Sequence, residues 1–344
     1  MKVGFIYDPV YLEHDTGHHP ENAKRLEAII SHLEQTGLKR RLTLIAPRAA
    51  STEELSLVHD EDYISHIRDV AQKGGDWLDP DTVMSAGSYK AALYAAGGLI
   101  MATEAVIGGK VDSAFALVRP PGHHATSRQA RGFCLFNNVA IAAKYALANY
   151  KLERILIVDF DVHHGNGTQA TFYDNPHVLY TSTHESPFYP GTGSIDETGG
   201  GAAEGTTINI PLPAGSGDAQ YLEVFEQIIV PAATRFKPQL ILVSAGYDAH
   251  WADELAMMQV SVTGFAQMVK IIKRLGDELC DGRLVFSLEG GYDLTALAAS
   301  IKATFDMLLG SATVEDPLGQ PPHRFEVPGI ALLIKQIREI HNLV

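Results

Sequence analysis

The strongest constraint on this chain is a series of short apolar runs rich in β-branched residues, at 3–7, 42–45, 114–118, 155–160, 178–182, 207–210, 240–244 and 284–288. Most are continuous rather than alternating, the pattern of strands covered on both faces. Helical patterns lie between many of them, at 23–35, 85–107, 138–148, 221–235 and 264–279. Strands alternating with helices make βαβ units. The sequence therefore predicts an α/β fold, with about eight strands in a mostly parallel sheet and helices on both faces. Asp218 and Thr263 each precede a periodic run and read as helix N-caps.

With 344 residues, 46% of them apolar, the chain can bury one large core, and residues 1–344 read as a single domain. The Gly-rich stretch 191–205 is too short for a linker and reads as a long loop. Residues 311–328 are proline-rich and 330–340 resemble an apolar helix, so 311–344 reads as a tail packed on the same domain. A formal net charge of −14 without basic runs excludes a direct nucleic-acid partner. It suits cationic substrates such as basic peptides or polyamines, and it also serves plain solubility. Two cysteines, Cys134 and Cys280, make no disulfide framework and point to a reducing compartment. The first residues turn acidic too soon for a secretory signal, and the most apolar helical stretch, 91–103, is too short and too rich in Ala and Gly to cross a bilayer. The expectation is a cytoplasmic protein with no membrane partner; a homo-oligomer is compatible with the sequence but not specified by it.

Sheets of this kind bind ligands in the crevice outside the carboxyl ends of their strands. Four runs end in polar residues suited to chemistry: Arg119-Pro-Pro-Gly-His-His124, Asp161-Val-His163-His164, Ala245-Gly-Tyr-Asp248 and Glu289-Gly-Gly-Tyr292. Asp159, Asp161 and His163 alternate where a strand is ending, so their side chains share one side while it lasts. Asp161 and His163, with Asp248 from another strand, give three ligands and leave a fourth position for water, as in a catalytic zinc site. The same donors also accept Fe(II), Co(II) or Mn(II). The tight turn after Pro-Pro-Gly presents the His123–His124 pair beside the same rim.

These stretches resemble the histone deacetylase superfamily, in its branch of bacterial class II-like deacetylases and acetylpolyamine amidohydrolases. The resemblance rests on Arg119-Pro-Pro-Gly-His-His, Gly132-Phe-Cys-Leu-Phe-Asn-Asn, Asp159-Phe-Asp-Val-His-His-Gly-Asn-Gly-Thr, Tyr189-Pro-Gly-Thr-Gly, Ser244-Ala-Gly-Tyr-Asp and Glu289-Gly-Gly-Tyr. An early His19-Pro-Glu21 followed by Arg25 is similar to the family's first loop and helix. The resemblance implies the arginase–deacetylase fold, with one zinc held by Asp161, His163 and Asp248. It implies His123 and His124 as the tandem imidazoles, His124 being the general base and acid, and Tyr292 as the polariser of the substrate carbonyl. Asp159 would stand behind the first histidine and, with Asp161, His163, Ser182 and Thr183, hold a structural potassium. Asn166 takes the place of a second aspartate, as in class II-like members, which leaves His124 without a charged partner and less basic. Gly132, Phe133 and Tyr189 would line a narrow tunnel, although the family usually has phenylalanine at the last position. Leu255 stands where polyamine-selective relatives carry glutamate, with Glu254 one residue away.

The implied reaction is hydrolysis of an N-acyl amine, an acetyl-lysine or similar acyl-lysine, by metal-activated water without an acyl-enzyme. Ser244 lacks the nucleophile-elbow pattern. An acetylpolyamine is the alternative substrate. A two-manganese ureohydrolase needs further bridging carboxylates, whereas Gly165 follows two after His163 and the Asp248 motif carries one aspartate. A catalytically silent acyl-ligand module should have lost a ligand, a tandem histidine or the tyrosine, and none is missing. Substrate choice falls to loops at 11–19, 74–88 and 126–131, where Asp79 or Asp81 could anchor a peptide backbone or merely face solvent.

Overall fold

The computed structural model of the chain describes residues 1–322 and 329–343. Its strands are β1 (Val3–Ile6), β2 (Thr43–Ile45), β3 (Gly75–Asp79), β4 (Thr82–Ser85), β5 (Ser113–Ala116), β6 (Ile155–Asp159), β7 (Val178–Glu185), β8 (Thr207–Leu212), β9 (Leu240–Ala245) and β10 (Leu284–Leu288). Eight of them form one sheet in the order β2-β1-β5-β10-β9-β6-β7-β8. Every pairing within it is parallel. All residues of β1, β5, β6, β7, β9 and β10 are buried, which requires cover on both faces and explains their continuous apolar runs. Helices Lys24–Gln35, Leu294–Leu308 and Val262–Leu279 pack side by side, and Ser88–Ile107 packs with Asn138–Tyr150 against the central strands.

Several local expectations change. Residues 74–88 are not a plain loop: β3 and β4 form an antiparallel hairpin with a bulge between Trp77 and Asp79. Ser85 ends β4, so the following helix begins at Ser88 instead. That helix runs 20 residues, long and apolar enough to cross a membrane by length and composition, so the reading of it as too short is corrected. Its faces are taken up by the core, with 67% of the apolar window buried. Thr263 is not a cap. Ser261, in extended backbone, accepts the Gly264 N–H and starts the helix, while Asp316 holds Thr263 within the first turn. Asp218 is likewise the first helical residue after the Gly217 cap, and its carboxylate takes the Ser261 N–H and hydroxyl. The stretch 221–235 is interrupted by a π-helical turn, Phe225–Ile229. The tail does pack on the domain, through helix Ala331–Ile340 against β8 and Phe225–Ile229 and through the Trp251 indole N–H to Gly319 O at 3.0 Å. Residues 323–328 and 344 of that expected tail lie outside the described residues.

One charged cluster is built into the core. Arg119 donates to Glu21 and to the carbonyls of Tyr11 and His14, and Arg25 donates to Glu21 at 3.1 Å. All three charged side chains are fully buried. Burial alone would raise the Glu21 carboxyl, but Arg119 and His14 hold it well below the usual carboxylate range. Glu21→Gln leaves two buried guanidiniums undercompensated and is expected to cost ~3–5 kcal/mol, read as a shift of the urea midpoint with unchanged slope.

Candidate metal centre and active site

The four functional strand ends belong to β5, β10, β9 and β6, the four central neighbours of the sheet. Asp248, distant in sequence from Asp161 and His163, is therefore their neighbour in space, because β9 and β6 are adjacent strands. Donor atoms of Asp161, His163 and Asp248 all lie within 4.8 Å of one another. His163 Nδ1 is 3.1 Å from Asp161 Oδ1 and 3.2 Å from Asp248 Oδ2. Backbone groups aim the carboxylates: Gly290 N–H donates to Asp161 Oδ2 at 2.8 Å, and Val162 N–H to Asp248 Oδ1 at 3.0 Å. Asp248 Oδ2 is buried and, apart from that approach of His163, has no hydrogen-bond partner among the described residues. A self-sufficient polar network would have paired that oxygen. Two buried carboxylates and an imidazole converging on one point are a donor set that fits a single divalent cation.

Beside this set, the rings of His123 and His124 lie tilted at 43° with centroids 4.0 Å apart, yet their partners differ. His123 Nδ1 is 3.1 Å from Asp159 Oδ2, which also accepts the Tyr180 hydroxyl at 3.0 Å. Burial would lower the His123 pKa, but Asp159 and Asp161 outweigh it and push it up to about 10. His124 Nδ1 instead meets the neutral Asn166 Oδ1 at 2.8 Å. Burial, together with positive charge on His123 and His163, holds His124 well below its usual value. With Nδ1–H donated to Asn166, its Nε2 is left as a base.

A cavity of about 330 Å³ opens on these groups and is lined also by Phe133, Phe188, Tyr189, Leu255 and Tyr292. Phe133 stands edge-on to Tyr292 at 5.9 Å and to His19 at 4.4 Å. It is thus a wall residue rather than core packing. Phe188 stacks on His163 at 5.5 Å, and Tyr189 meets His124 edge-on at 5.2 Å, with the Arg131 guanidinium 5.9 Å from its ring. Gly132 has φ +54°, and a Cβ there would press into the His124 ring, so only glycine fits. Burial first, and then Asp248, raises the Tyr292 phenol well above 10 and keeps it a proton donor. Its turn is anchored from behind by Arg25, which donates to Gly291 O at 2.7 Å and Glu289 O at 2.6 Å and lies 5.0 Å from the phenol ring.

His123, His124, Gly132, Phe133, His163, Tyr189, Leu255 and Tyr292 thus line one cavity, with Asp161 and Asp248 beside His163. Leu255 lines the cavity and Glu254 does not; Asp81 reaches it, whereas Asp79 accepts the Asp81 N–H at 2.9 Å. Ser182 Oγ pairs with His184 at 2.9 Å, while Thr183 Oγ1 is buried without a hydrogen-bond partner among the described residues. Ser244 donates to Glu289 at 3.1 Å and faces no substrate. Three contributors were not read from the sequence as site residues. Phe188 shares the aromatic wall. Glu289 takes the Gly122 N–H at 2.7 Å and the His123 N–H at 3.2 Å, fixing the tandem turn. Arg25 supports the Tyr292 turn. The Glu289-Gly-Gly motif was the one signal that could have pointed to the second.

A family model described as a histone deacetylase domain matches residues 19–308. The chain is 41% identical to "Histone deacetylase 14, chloroplastic" of Arabidopsis thaliana, over 96% of this chain and 83% of that protein. It is 43% identical to a "Probable deacetylase" of Archaeoglobus fulgidus, over 86% of this chain and 82% of that protein. With the "Histone deacetylase-like amidohydrolase" of Pseudomonas aeruginosa it shares 38% identity, over 92% and 82% respectively. Among solved structures, the HDA15 HD domain superposes with a TM-score of 0.89, at 36% identity, over 98% of this chain and 95% of that one.

Proposed function

The chain belongs to the histone deacetylase family, and from that premise we propose that it hydrolyses the amide of an acetyl-lysine or similar acyl-lysine side chain. It is a hydrolase acting on amide bonds, as its deacetylase and amidohydrolase relatives are named to be. The observation that carries this reading is the buried Asp161–His163–Asp248 donor set beside a narrow aromatic-walled cavity that also holds Leu255 and an imidazole kept as a neutral base.

Asp161, His163 and Asp248 would hold one Zn²⁺, with Fe²⁺ or Co²⁺ acceptable to the same donors. When bound, such an ion supplies Lewis-acid polarisation and a water of lowered pKa. His124 Nε2 takes a proton from the attacking water and passes it to the departing amine. Asn166 holds the opposite ring nitrogen and so fixes the tautomer. The Tyr292 hydroxyl donates a hydrogen bond where negative charge gathers on the carbonyl oxygen. His123, paired with Asp159, stays cationic beside that oxygen and adds to the stabilisation. Phe133, Phe188 and Tyr189 exclude water along the acyl-lysine methylenes, and Leu255 offers no carboxylate to a polyamine cation. We propose further, on the family resemblance, a structural potassium at Asp159, Asp161, His163, Ser182 and Thr183. We place the protein in the cytoplasm on its two free cysteines.

The test is a substrate panel on Zn²⁺-loaded protein, comparing kcat/KM for acetyl-lysine peptides, longer acyl-lysines and acetylated putrescine, cadaverine and spermidine. Acyl-lysine peptides should lead, and polyamines in front would replace the acyl-lysine reading. Tyr292→Phe should lower kcat by ~10²-fold with KM within about two-fold. No hydrolysis of any member of the panel would sink the reaction.

A further inference from the structure

The phenol-bearing turn is held from a second side by a carboxylate that takes no part in the chemistry described above. Asp253 lies in the loop after Asp248 and is almost fully buried. Its Oδ2 accepts the Tyr292 N–H at 2.6 Å and the Asp293 N–H at 3.1 Å. Its Oδ1 accepts the Leu255 N–H at 3.0 Å. One carboxylate therefore spans two segments about forty residues apart, the loop that supplies a cavity wall and the turn that supplies the phenol. Asp293 in turn caps helix Leu294–Leu308 through the Ala296 N–H at 2.7 Å, so the turn is tied to a rigid element on its far side. Gly291, with φ +113°, precedes the phenol residue and leaves the turn few internal restraints of its own.

We propose that Asp253 is a positioning residue: it fixes the Tyr292 hydroxyl relative to the Leu255 wall, so that a substrate threaded past the wall meets the phenol in register. The inference rests on the catalytic role given to Tyr292. Three charge-assisted bonds converge on this side chain, and an error of about one ångström in such a group can cost on the order of 10²-fold in rate. Its effect should therefore appear in turnover and pass through Tyr292 alone.

The test is a double-mutant cycle between Asp253→Asn and Tyr292→Phe in Zn²⁺-loaded full-length protein. An amide has one acceptor oxygen and an NH₂ that opposes the incoming N–H donors, so one side of the clamp is lost. Asp253→Asn should lower kcat on an acetyl-lysine peptide by ~10- to 100-fold, with KM and zinc content within about two-fold of the parent. In the Tyr292→Phe background the same change should cost less than about two-fold. The cycle is repeated on affinity for a hydroxamate analogue of the peptide, whose carbonyl takes the phenol's hydrogen bond. If the parent shows no hydrolysis but the affinity cycle is coupled, the positioning role stands and the reaction assignment falls. Equal, additive losses in both backgrounds overturn the positioning role, as does a loss that follows zinc content. Should Asp253→Asn not fold, Asp253→Glu keeps the charge and both acceptors but displaces them, and must show the same coupling at smaller amplitude.

Discussion

Asp248→Asn is expected to abolish tight metal binding and amide hydrolysis together. The amide oxygen can still accept the Val162 N–H that Asp248 Oδ1 takes at 3.0 Å, so the loop keeps its shape. The other oxygen, buried and facing only His163 Nδ1 among the described residues, becomes an NH₂ that cannot bind a cation. Loss of an outer-sphere partner typically costs 10- to 100-fold in affinity or activity, and loss of a ligand should exceed that, at ~10³-fold or more in kcat. Metal analysis after dialysis should fall from about one equivalent per chain to roughly a tenth. Chelation followed by Zn²⁺ should restore the parent and not the variant. Retention of a full equivalent by Asp248→Asn would remove this residue from the ligand set, and about two tightly held ions in the parent would revive a binuclear reading.

His124→Ala should lower kcat by ~10²–10⁴-fold while leaving metal content unchanged, the range expected for loss of a positioned general base. The pH profile sharpens this expectation. Burial first, and then the positive charge of His123, lowers the His124 pKa, and a cation held by His163 in place of its proton would act in the same direction. A base with a lowered pKa is neutral above that value, so activity should persist from neutral pH down through 6.5. It should fall only in the more acid range, where Nε2 takes up a proton. Asn166→Asp places a carboxylate beside Nδ1, raises the pKa and moves the acid limb toward neutral pH. An acid limb that stays in place in Asn166→Asp would mean that another group sets it. Initial rates of acetate release between about pH 5 and 8, with zinc content checked at each pH, decide the matter.

The sheet was legible because parallel strands covered on both faces write themselves as unbroken apolar runs, as β6 and β9 do. Helix Leu294–Leu308 was not, since its buried residues occupy nearly its whole circumference and leave no one-sided period to detect. The hairpin from Gly75 to Ser85 was hidden for the opposite reason, its aspartates and proline reading as loop while the backbone register makes it a sheet. Among the site residues, Asp161 and His163 were visible because they closely follow a strand, and the tandem histidines because a Pro-Pro-Gly turn presents them shortly after another. Glu289 as a holder of the His123 turn, Arg25 behind Tyr292 and Asp253 in front of it were invisible as roles. Each acts on a segment distant in sequence, and only the folded arrangement brings donor and acceptor together.

The order of strands has a consequence for how the protein comes into being. β10 inserts between β5 and β9, pairing Leu284 with Ser113 and with Ile241, so the last strand made completes the middle of the sheet. Until it arrives, β5 and β9 present unpaired edges, and the Tyr292 turn with its anchors on Arg25 does not exist. Such long-range closure favours slow, late-committing folding. An emerging chain should therefore lack hydrolytic competence until residues beyond 293 are free to fold. Fragments ending before β10 should offer open, aggregation-prone strand edges in place of a partly working catalyst.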